Sequence, residues 1–454
     1  MEFINGDFTF HPVGQGLFHS GRISCANDNL QTNFVYDCGT ADNGENFENI
    51  VEKYAGSLPG KSLDMLILSH FHIDHISGLR LLFDEGITIK KCFIPYFTPE
   101  ERFIIWASVW NELGDEEWYF NFLMDPITYL INNKVEQVII IDNGSDDGGE
   151  NEDPTPSESS DNSDQLKEED IVNVNKLVKD DKLEKNILES EPEPNGKQWK
   201  ELIINGDLLI RSNRGYVTIS CAWYFKFFNS KNKIKKQIEK FKDCLKEDKY
   251  FKDLLNNEKF LYINNEKFKN KLKLIEKCYK NIFNKAKINL NITSLVVYHS
   301  PIIRSNNKFQ VIWRNCFFPC FCCHRYYFEF FYYDKYLRNK YITGADNIMG
   351  QLLTGDAGLK SSNNINEFKK HYKKVLNNVF LFQLPHHGSE HNWNKKLLNF
   401  LPFCNIWIAS AGLHNSYNHP SYEVFRNIAN YNRMPMLISE CNEFSYGFKI
   451  RKIQ

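Results

Sequence analysis

No apolar run in this chain of 454 residues approaches the roughly 20 residues that a helix needs to cross a bilayer, so no membrane association is expected. Met1 to Phe10 lacks a basic stretch followed by an apolar one, and the expectation is a cytosolic protein. Neither sign of charge dominates. The 55 Lys and Arg stand against 57 Asp and Glu, a net charge of −2, which excludes a simple polybasic nucleic-acid coat or an acidic tail protein. No internal repeat is visible. The 12 cysteines are scattered, without a secretory leader, and read as reduced thiols or metal ligands rather than as a disulfide framework.

What the chain does have is strongly local. Short apolar runs bounded by glycine, Phe8 to Val13, Leu17 to Ile23 and Asn33 to Asp37, predict buried strands. A helix is expected over 43–57. Leu63 to Ser69 is a near-continuous apolar run of the kind buried on both faces of a sheet, and it ends directly on a histidine. Strand-like runs resume at Ser294 to Tyr298, Gln351 to Thr354, Val379 to Leu384 and Ile406 to Ala409. Between them lie two segments of opposite character. Asp142 to Asp170 holds twelve acidic residues and one lysine, a local charge near −11, and cannot bury enough apolar surface to order itself. Tyr224 to Leu290 holds nineteen lysines against eight acidic residues, near +11, with Phe, Leu, Ile and Tyr at helical spacing that predicts a pair of amphipathic helices. The expected organisation is therefore a first half of the core over 1–141, an acidic low-complexity insertion over 142–196, core strands over 197–223, a lysine-rich helical insertion over 224–290, and the second half over 291–454.

The strongest chemical signal is Ser69-His70-Phe71-His72-Ile73-Asp74-His75-Ile76-Ser77-Gly78, four potential ligands in six positions at the end of a buried strand. Residues two apart in an extended loop point the same way, so His70 and His72 can share one metal while Asp74 and His75 turn towards a second. Imidazoles with a carboxylate select zinc, manganese or iron over calcium. Two metals need a bridging carboxylate, and Thr354-Gly355-Asp356 delivers one at a strand end. Further imidazoles follow in Pro385-His386-His387-Gly388-Ser389 and Asn418-His419-Pro420, each after an apolar run.

With these residues in hand, the chain resembles the metallo-β-lactamase-fold hydrolases. Val13-Gly14-Gln15-Gly16, Val35-Tyr36-Asp37-Cys38-Gly39 and Asn291 to Val296, together with the Asp356, His386-His387 and His419 elements, are similar to the branch holding the hydrolase domain of the ComEC DNA-uptake protein and choline-phosphate esterases. The resemblance covers residues 5–90 and 290–430, and Leu17 departs from it where the DNA-uptake relatives usually carry Asp. It implies an α/β, four-layer αββα sandwich, and the disordered acidic loop and the lysine-rich helical insertion, which it does not cover, are expected to interrupt that sandwich. It further implies two divalent ions, zinc or manganese: His70, His72 and His387 on the first, Asp74, His75 and His419 on the second, Asp356 bridging. The choice between His386 and His387 as ligand stays open at this stage. Asp74 would orient the attacking water, whose pKa two cations lower, and His386 would stabilise the leaving oxygen or donate to it. Ser389 could contact a phosphate.

The expected activity is hydrolysis of a phosphodiester, with nucleic acid as the leading substrate and the lysine-rich segment as a phosphate-attracting face. The alternatives are a small-molecule phosphoester, cyclic-nucleotide or lactone hydrolase, and a partner-gated non-catalytic subunit. Related stand-alone proteins serve as anti-phage effectors beside a sensor NTPase, which is the protein partner the resemblance suggests. Cys316, Cys320, Cys322, Cys323 and His324 form the one cysteine cluster. Its spacing is not that of a standard zinc finger, and buried core thiols are the favoured reading over a structural zinc.

Overall fold

The computed structural model describes residues 3–25, 30–42, 45–113, 117–143, 171–193, 195–219, 223–231, 234–256, 271–284, 293–302, 308–317, 340–342 and 348–453. Its strands run β1 (Phe3–Phe10), β2 (Gly16–Cys25), β3 (Leu30–Thr40), β4 (Ser62–Ile67), β5 (Thr88–Pro95), β6 (Val135–Asp142), β7 (Val172–Asn173), β8 (Leu208–Ser212) and β9 (Val217–Ile219). They continue as β10 (Trp223–Lys231), β11 (Thr293–Pro301), β12 (Lys308–Phe317), β13 (Lys340–Ile342), β14 (Gly350–Leu353), β15 (Val379–Gln383), β16 (Ile406–Ser410), β17 (Met434–Ile438) and β18 (Phe444–Ile453). Among the described residues they form two sheets, in the orders β13-β12-β18-β1-β2-β3-β4-β5-β6-β8 and β17-β16-β15-β14-β11-β10-β9-β7. Both sheets are mixed. The parallel run β3-β4-β5-β6-β8 and the parallel run β14-β15-β16-β17 each need crossovers, and helices supply them.

Period-two alternation explains the layering. Phe34, Tyr36, Met65 and Ile67 of the first sheet meet Phe225, Phe227, Leu295 and Val297 of the second in a core between the sheets. The alternate residues face outward. Val35, Leu66 and Cys92 pack under one helical layer, and Tyr224, Val296 and Tyr298 under the other, which gives helix, sheet, sheet, helix. Two histidines share the inter-sheet core: His19 and His299 are buried among Phe8, Phe34 and Trp223, and Trp223 Nε1 donates to His299 Nδ1 at 3.2 Å.

The lysine-rich segment is not wholly helical: 224–231 belong to core strand β10, and the rest of its described residues form helices Lys235–Leu245, Lys249–Asn256 and Leu272–Tyr279, the last running on into a π-helical turn Lys280–Asn284, rather than a pair. Phe241 packs on Phe103 of the helix Pro99–Leu113, with ring centroids 6.1 Å apart, and Lys242 Nζ lies 2.8 Å from Glu100. Cys244 and Cys278 are joined in a disulfide between these helices. The thiol reading is corrected there: 34 residues separate the two in sequence, and only helix packing brings their Cα atoms to 5.8 Å. The cysteines 320, 322 and 323, with His324, lie outside the described residues, as does the side chain of Cys316.

The region between β6 and β8 also differs from the expected boundaries. Residues 144–170 lie outside the described ones, but helices Asp181–Ser190 and Asn195–Asn205 occupy the end of the presumed insertion and the start of the presumed strands. A buried ion pair fixes them. Glu191 receives both Arg102 Nη1 at 2.9 Å and Arg102 Nη2 at 2.8 Å, accepts from Tyr96 Oη at 3.0 Å, and is as buried as the arginine.

Candidate functional site

The site sits where strand ends of both sheets meet. Strand β4 delivers His70 and His72, and the chain then tightens into a helical turn, Ile73–Ile76, that carries Asp74 and His75. That turn lies hard against β3: a Cβ on Gly39 would stand 2.4 Å from the carbonyl carbon of His75, so only glycine lets the two backbones approach. Strand β14 delivers Asp356 through Gly355, whose φ of 51° suits glycine and where a Cβ would stand 2.5 Å from Ser69. Leu295 N donates to Ser69 O at 2.7 Å and Tyr36 Oη to Leu295 O at 2.9 Å, which stitches the two sheets together beside the site.

Asp356 is the centre of the cluster. Its Oδ2 lies 3.7 Å from His70 Nε2 and 3.7 Å from His386 Nε2, while its Oδ1 lies 3.2 Å from His75 Nε2 and 3.9 Å from His387 Nε2. Asp74 Oδ2 is 3.0 Å from His387 Nε2 and 3.9 Å from His75 Nε2. Three groups have ligand atoms close enough to hold an ion: His70 with His72 and Asp74, His70 with His75 and Asp356, and Asp74 with His75 and His387. All are at least half buried, and His70, His75, Asp356 and His387 are almost wholly so.

Hydrogen bonds around the cluster set which nitrogen each ring presents. Buried Asp37 accepts from Ser69 N at 2.6 Å, from Ser69 Oγ at 2.6 Å and from His75 Nδ1 at 2.7 Å. With its proton given to Asp37, Ser69 Oγ accepts from His70 Nδ1 at 2.9 Å. His387 Nδ1 donates to Ser410 O at 2.7 Å. Asn392 spends its amide nitrogen on Asp356 O and Ala357 O, so its Oδ1 accepts from His386 Nδ1 at 3.0 Å. In all four rings Nδ1 is engaged outside the cluster, so Nε2 is the nitrogen that faces Asp356 or Asp74, and that of His387 donates to Asp74 Oδ2 at 3.0 Å. His70 Nε2 and His75 Nε2 are buried with no hydrogen bond, an arrangement that is costly unless a cation receives them.

The electrostatics tie the carboxylates and the imidazoles to one another. Burial works against the charges of Asp74 and Asp356, yet the surrounding imidazoles hold both carboxyls below the usual carboxylate range. Burial likewise disfavours protonation of His75 and His387, but Asp356 and Asp74 draw both upward. For His70 burial, with His75 beside it, outweighs the pull of Asp356 and Asp74 and keeps the ring neutral. The residues present therefore fit divalent cations: buried ionised carboxylates, Nε2 atoms aimed at them, and fixed ring tautomers.

The structure brings His70, His72, Asp74, His75, Asp356, His386 and His387 together, and redistributes two of them. His387, expected with His70 and His72, turns to Asp74 and His75, while His386 faces the His70 side of Asp356. The cause is backbone conformation: His386 and His387 both take left-handed φ values, 50° and 55°, and the Ser410 carbonyl captures the His387 ring. His419, expected beside Asp74 and His75, joins none of the groups among the described residues. Its ring centroid lies 5.1 Å from that of His386 and 6.0 Å from that of His387. Sequence reasoning assigned no role to Asp37, Ser69 or Asn392. Asp37 had a signal, since an acidic residue ends an apolar strand there, and the structure adds a left-handed φ of 55°.

Residues 29–157, which include the His70 to His75 string, match the family model of the metallo-beta-lactamase superfamily. No curated protein matches the chain. Among solved structures, the metallo-beta-lactamase fold protein YhfI from Bacillus subtilis is similar at 8% identity with a TM-score of 0.34, covering 97% of this chain and 99% of that one.

Proposed function

We propose that this protein is a dinuclear-metal-dependent phosphodiesterase with nucleic acid as its substrate. The observation that carries the reading is the placement of Asp356, with one carboxylate oxygen towards His70 and His386 and the other towards His75 and His387. His70, His72 and His386 would hold one ion and Asp74, His75 and His387 the other, with Asp356 between them. Two divalent cations supply an activated water at neutral pH and neutralise charge on the attacking and leaving oxygens of a phosphodiester.

The chain's own residues supply the rest. Asp37 and Ser69 hold His70 and His75 in the tautomers that aim Nε2 inward. Asp74, whose side chain keeps 18% of its surface exposed, is placed to accept a proton from the attacking water. His386 and His419 stand together on the more open side, and the 28% exposure of the His386 side chain suits a group that meets substrate oxygen. Lys235, Lys236 and Lys240 are exposed on a helix packed against Pro99–Leu113. The neighbouring helix Glu117–Met124 ties back to the metal loop, for Tyr119 Oη donates to Phe71 O at 2.8 Å. The lysine-bearing helix is thus linked to the metal loop through two intervening helices, and its exposed lysines are read as a phosphate-attracting face.

The test is hydrolysis by protein loaded with Mn²⁺, Zn²⁺ or Mg²⁺ of single-stranded DNA, duplex DNA, RNA and bis-p-nitrophenyl phosphate. Cleavage of the chromogenic diester and of at least one nucleic acid supports the proposal. Cleavage of neither by a metal-loaded, folded protein overturns it.

A further inference from the structure

A cavity of about 320 Å³ lies behind the loop that carries His419. Its walls include Asp42, Asn46, Phe47, His414, Asn415 and Glu440, none of which belongs to the metal-facing cluster. It nevertheless shares structure with that cluster. Asn415 Oδ1 accepts from His419 N at 2.9 Å and Asn415 Nδ2 donates to His419 O at 2.5 Å, so one wall of the cavity is also the brace of the His419 loop. On the other side the Phe47 ring tip would stand 3.0 Å from a Cβ on Gly78, three residues after His75.

The polar groups are set before any ligand arrives. Asp42 Oδ2 accepts from Gln15 N at 2.9 Å, which fixes the carboxylate and leaves Oδ1 for another donor. Glu440 accepts Leu413 N on both oxygens, at 3.0 and 3.3 Å, and each oxygen retains a lone pair. Asn46, exposed in the first turn of the helix Glu45–Ser57, brings an amide donor and acceptor, and Phe47 brings a ring.

Two carboxylates in one small cavity repel phosphate, so the cavity can take a sugar and a base but not the backbone phosphates beside them. They accept hydrogen bonds from hydroxyl and amino groups, which a sugar and a base carry together, while a ring wall and an amide suit the base itself. The volume stands at the lower end of small-molecule sites, enough for one nucleoside and too little for an oligomer. We infer that this cavity binds the nucleoside on one side of the scissile phosphate, its sugar hydroxyls or exocyclic amine on Asp42 and Glu440 and its base between Phe47 and Asn46. The inference rests on the phosphodiesterase reading for its choice of ligand.

The experiment is isothermal titration of the full-length protein with adenosine, cytidine and, as a control, tetramethylammonium, in wild type, Asn46→Leu and Glu440→Gln. Saturable binding of a nucleoside that weakens at least tenfold in Asn46→Leu, with unchanged circular dichroism, supports the site. Absence of nucleoside binding, equal binding by Asn46→Leu, or binding of tetramethylammonium alone overturns it. Glu440→Gln keeps an acceptor for Leu413 N and guards against a folding defect, and a loss in both variants is the expected result. The ratio of kcat/KM for a dinucleotide to that for bis-p-nitrophenyl phosphate should also fall at least tenfold in Asn46→Leu. If nucleosides bind while no diester is cleaved, the subsite stands and the phosphodiesterase reading fails. If bis-p-nitrophenyl phosphate is cleaved and no nucleoside binds, the reverse holds.

Discussion

His75 Nδ1 lies 2.7 Å from Asp37 Oδ2, and this buried contact decides that Nε2 is the nitrogen turned towards Asp356. Burial raises the Asp37 carboxyl above its ordinary range despite His75 beside it, so the contact is maintained at a cost in desolvation. Asp37→Ala is expected to lower metal affinity and diester hydrolysis by about 10- to 100-fold, the usual effect of losing a group that orients a ligand. Titration with a competing chelator, alongside circular dichroism, measures it. An affinity equal to wild type would remove Asp37 from the positioning role.

Metal content gives a second check. Elemental analysis of protein reconstituted with Zn²⁺ or Mn²⁺ should find close to two ions per chain, and Asp356→Ala should lose more than His419→Ala, because Asp356 faces imidazoles of both groups while His419 joins neither among the described residues. A larger loss in His419→Ala would return that histidine to the ligand set.

Asp74→Ala and His75→Ala should each reduce hydrolysis by several powers of ten, the scale expected when an activated water is lost. His75 is wholly buried, so its variant needs a thermal-melt control, whereas Asp74 is partly exposed and its variant should melt close to wild type. Near wild-type rates in the Asp74 variant would place the chemistry elsewhere.

Reversing Lys235, Lys236 and Lys240 to glutamate should weaken nucleic-acid binding, most at low ionic strength, because exposed charge acts through a screened field. Fluorescence anisotropy at two salt concentrations reads the effect. Unchanged affinity at low salt would assign this face to a protein partner.

The Arg102 and Glu191 pair is nearly solvent-free on both sides, and Glu191→Ala leaves a buried guanidinium without its carboxylate. A loss of about 3–5 kcal/mol is expected, read from the urea midpoint. A loss below about 1 kcal/mol would show that helices Asp181–Ser190 and Asn195–Asn205 are held by their apolar contacts instead.

Acid should destabilise the fold through the inter-sheet core. Burial pushes His299 down to about 3 from 6.5 and, with His299 and His11 nearby, pushes His19 well below its ordinary value. Above pH 6.5 both rings are neutral in either state and no stability is lost; below it the unfolded chain takes up protons that the fold refuses. Stability should then fall by up to about 1.4 kcal/mol per pH unit for each ring until the folded ring itself titrates. Melting curves of His299→Phe should show a shallower decline between neutral and acid pH than wild type, and parallel declines would refute the assignment.

The clustered residues that follow β4 could be picked out because four ligand-type side chains are compressed into His70 to His75, and Asp356 because a glycine turn ends an apolar strand. The partition of His386 and His387 was not, since it depends on two left-handed residues and on Ser410, more than twenty positions away. Asn392 carries no signal of its own: one asparagine among many becomes informative only when its amide is seen bridging His386 and Asp356. The Cys244–Cys278 link was hidden in the same way, by a separation that only helix packing closes. Period-two apolar runs did expose the strands of both sheets, because each sheet is covered on two faces and selects for Val, Ile, Phe and Tyr throughout.

The stitching of Ser69 to Leu295 and of Leu295 to Tyr36 has a consequence for how the protein comes into being. His70 to His75 follow a strand of one sheet and Asp356, His386 and His387 follow strands of the other, so neither group alone makes the complete cluster. The cluster is complete only when the two sheets close face to face. A nascent chain that has made only β1 to β6 carries the four ligand-type side chains of His70 to His75 without Asp356, His386 and His387, and even its own sheet is completed only when β18, at the far end of the chain, pairs with β1.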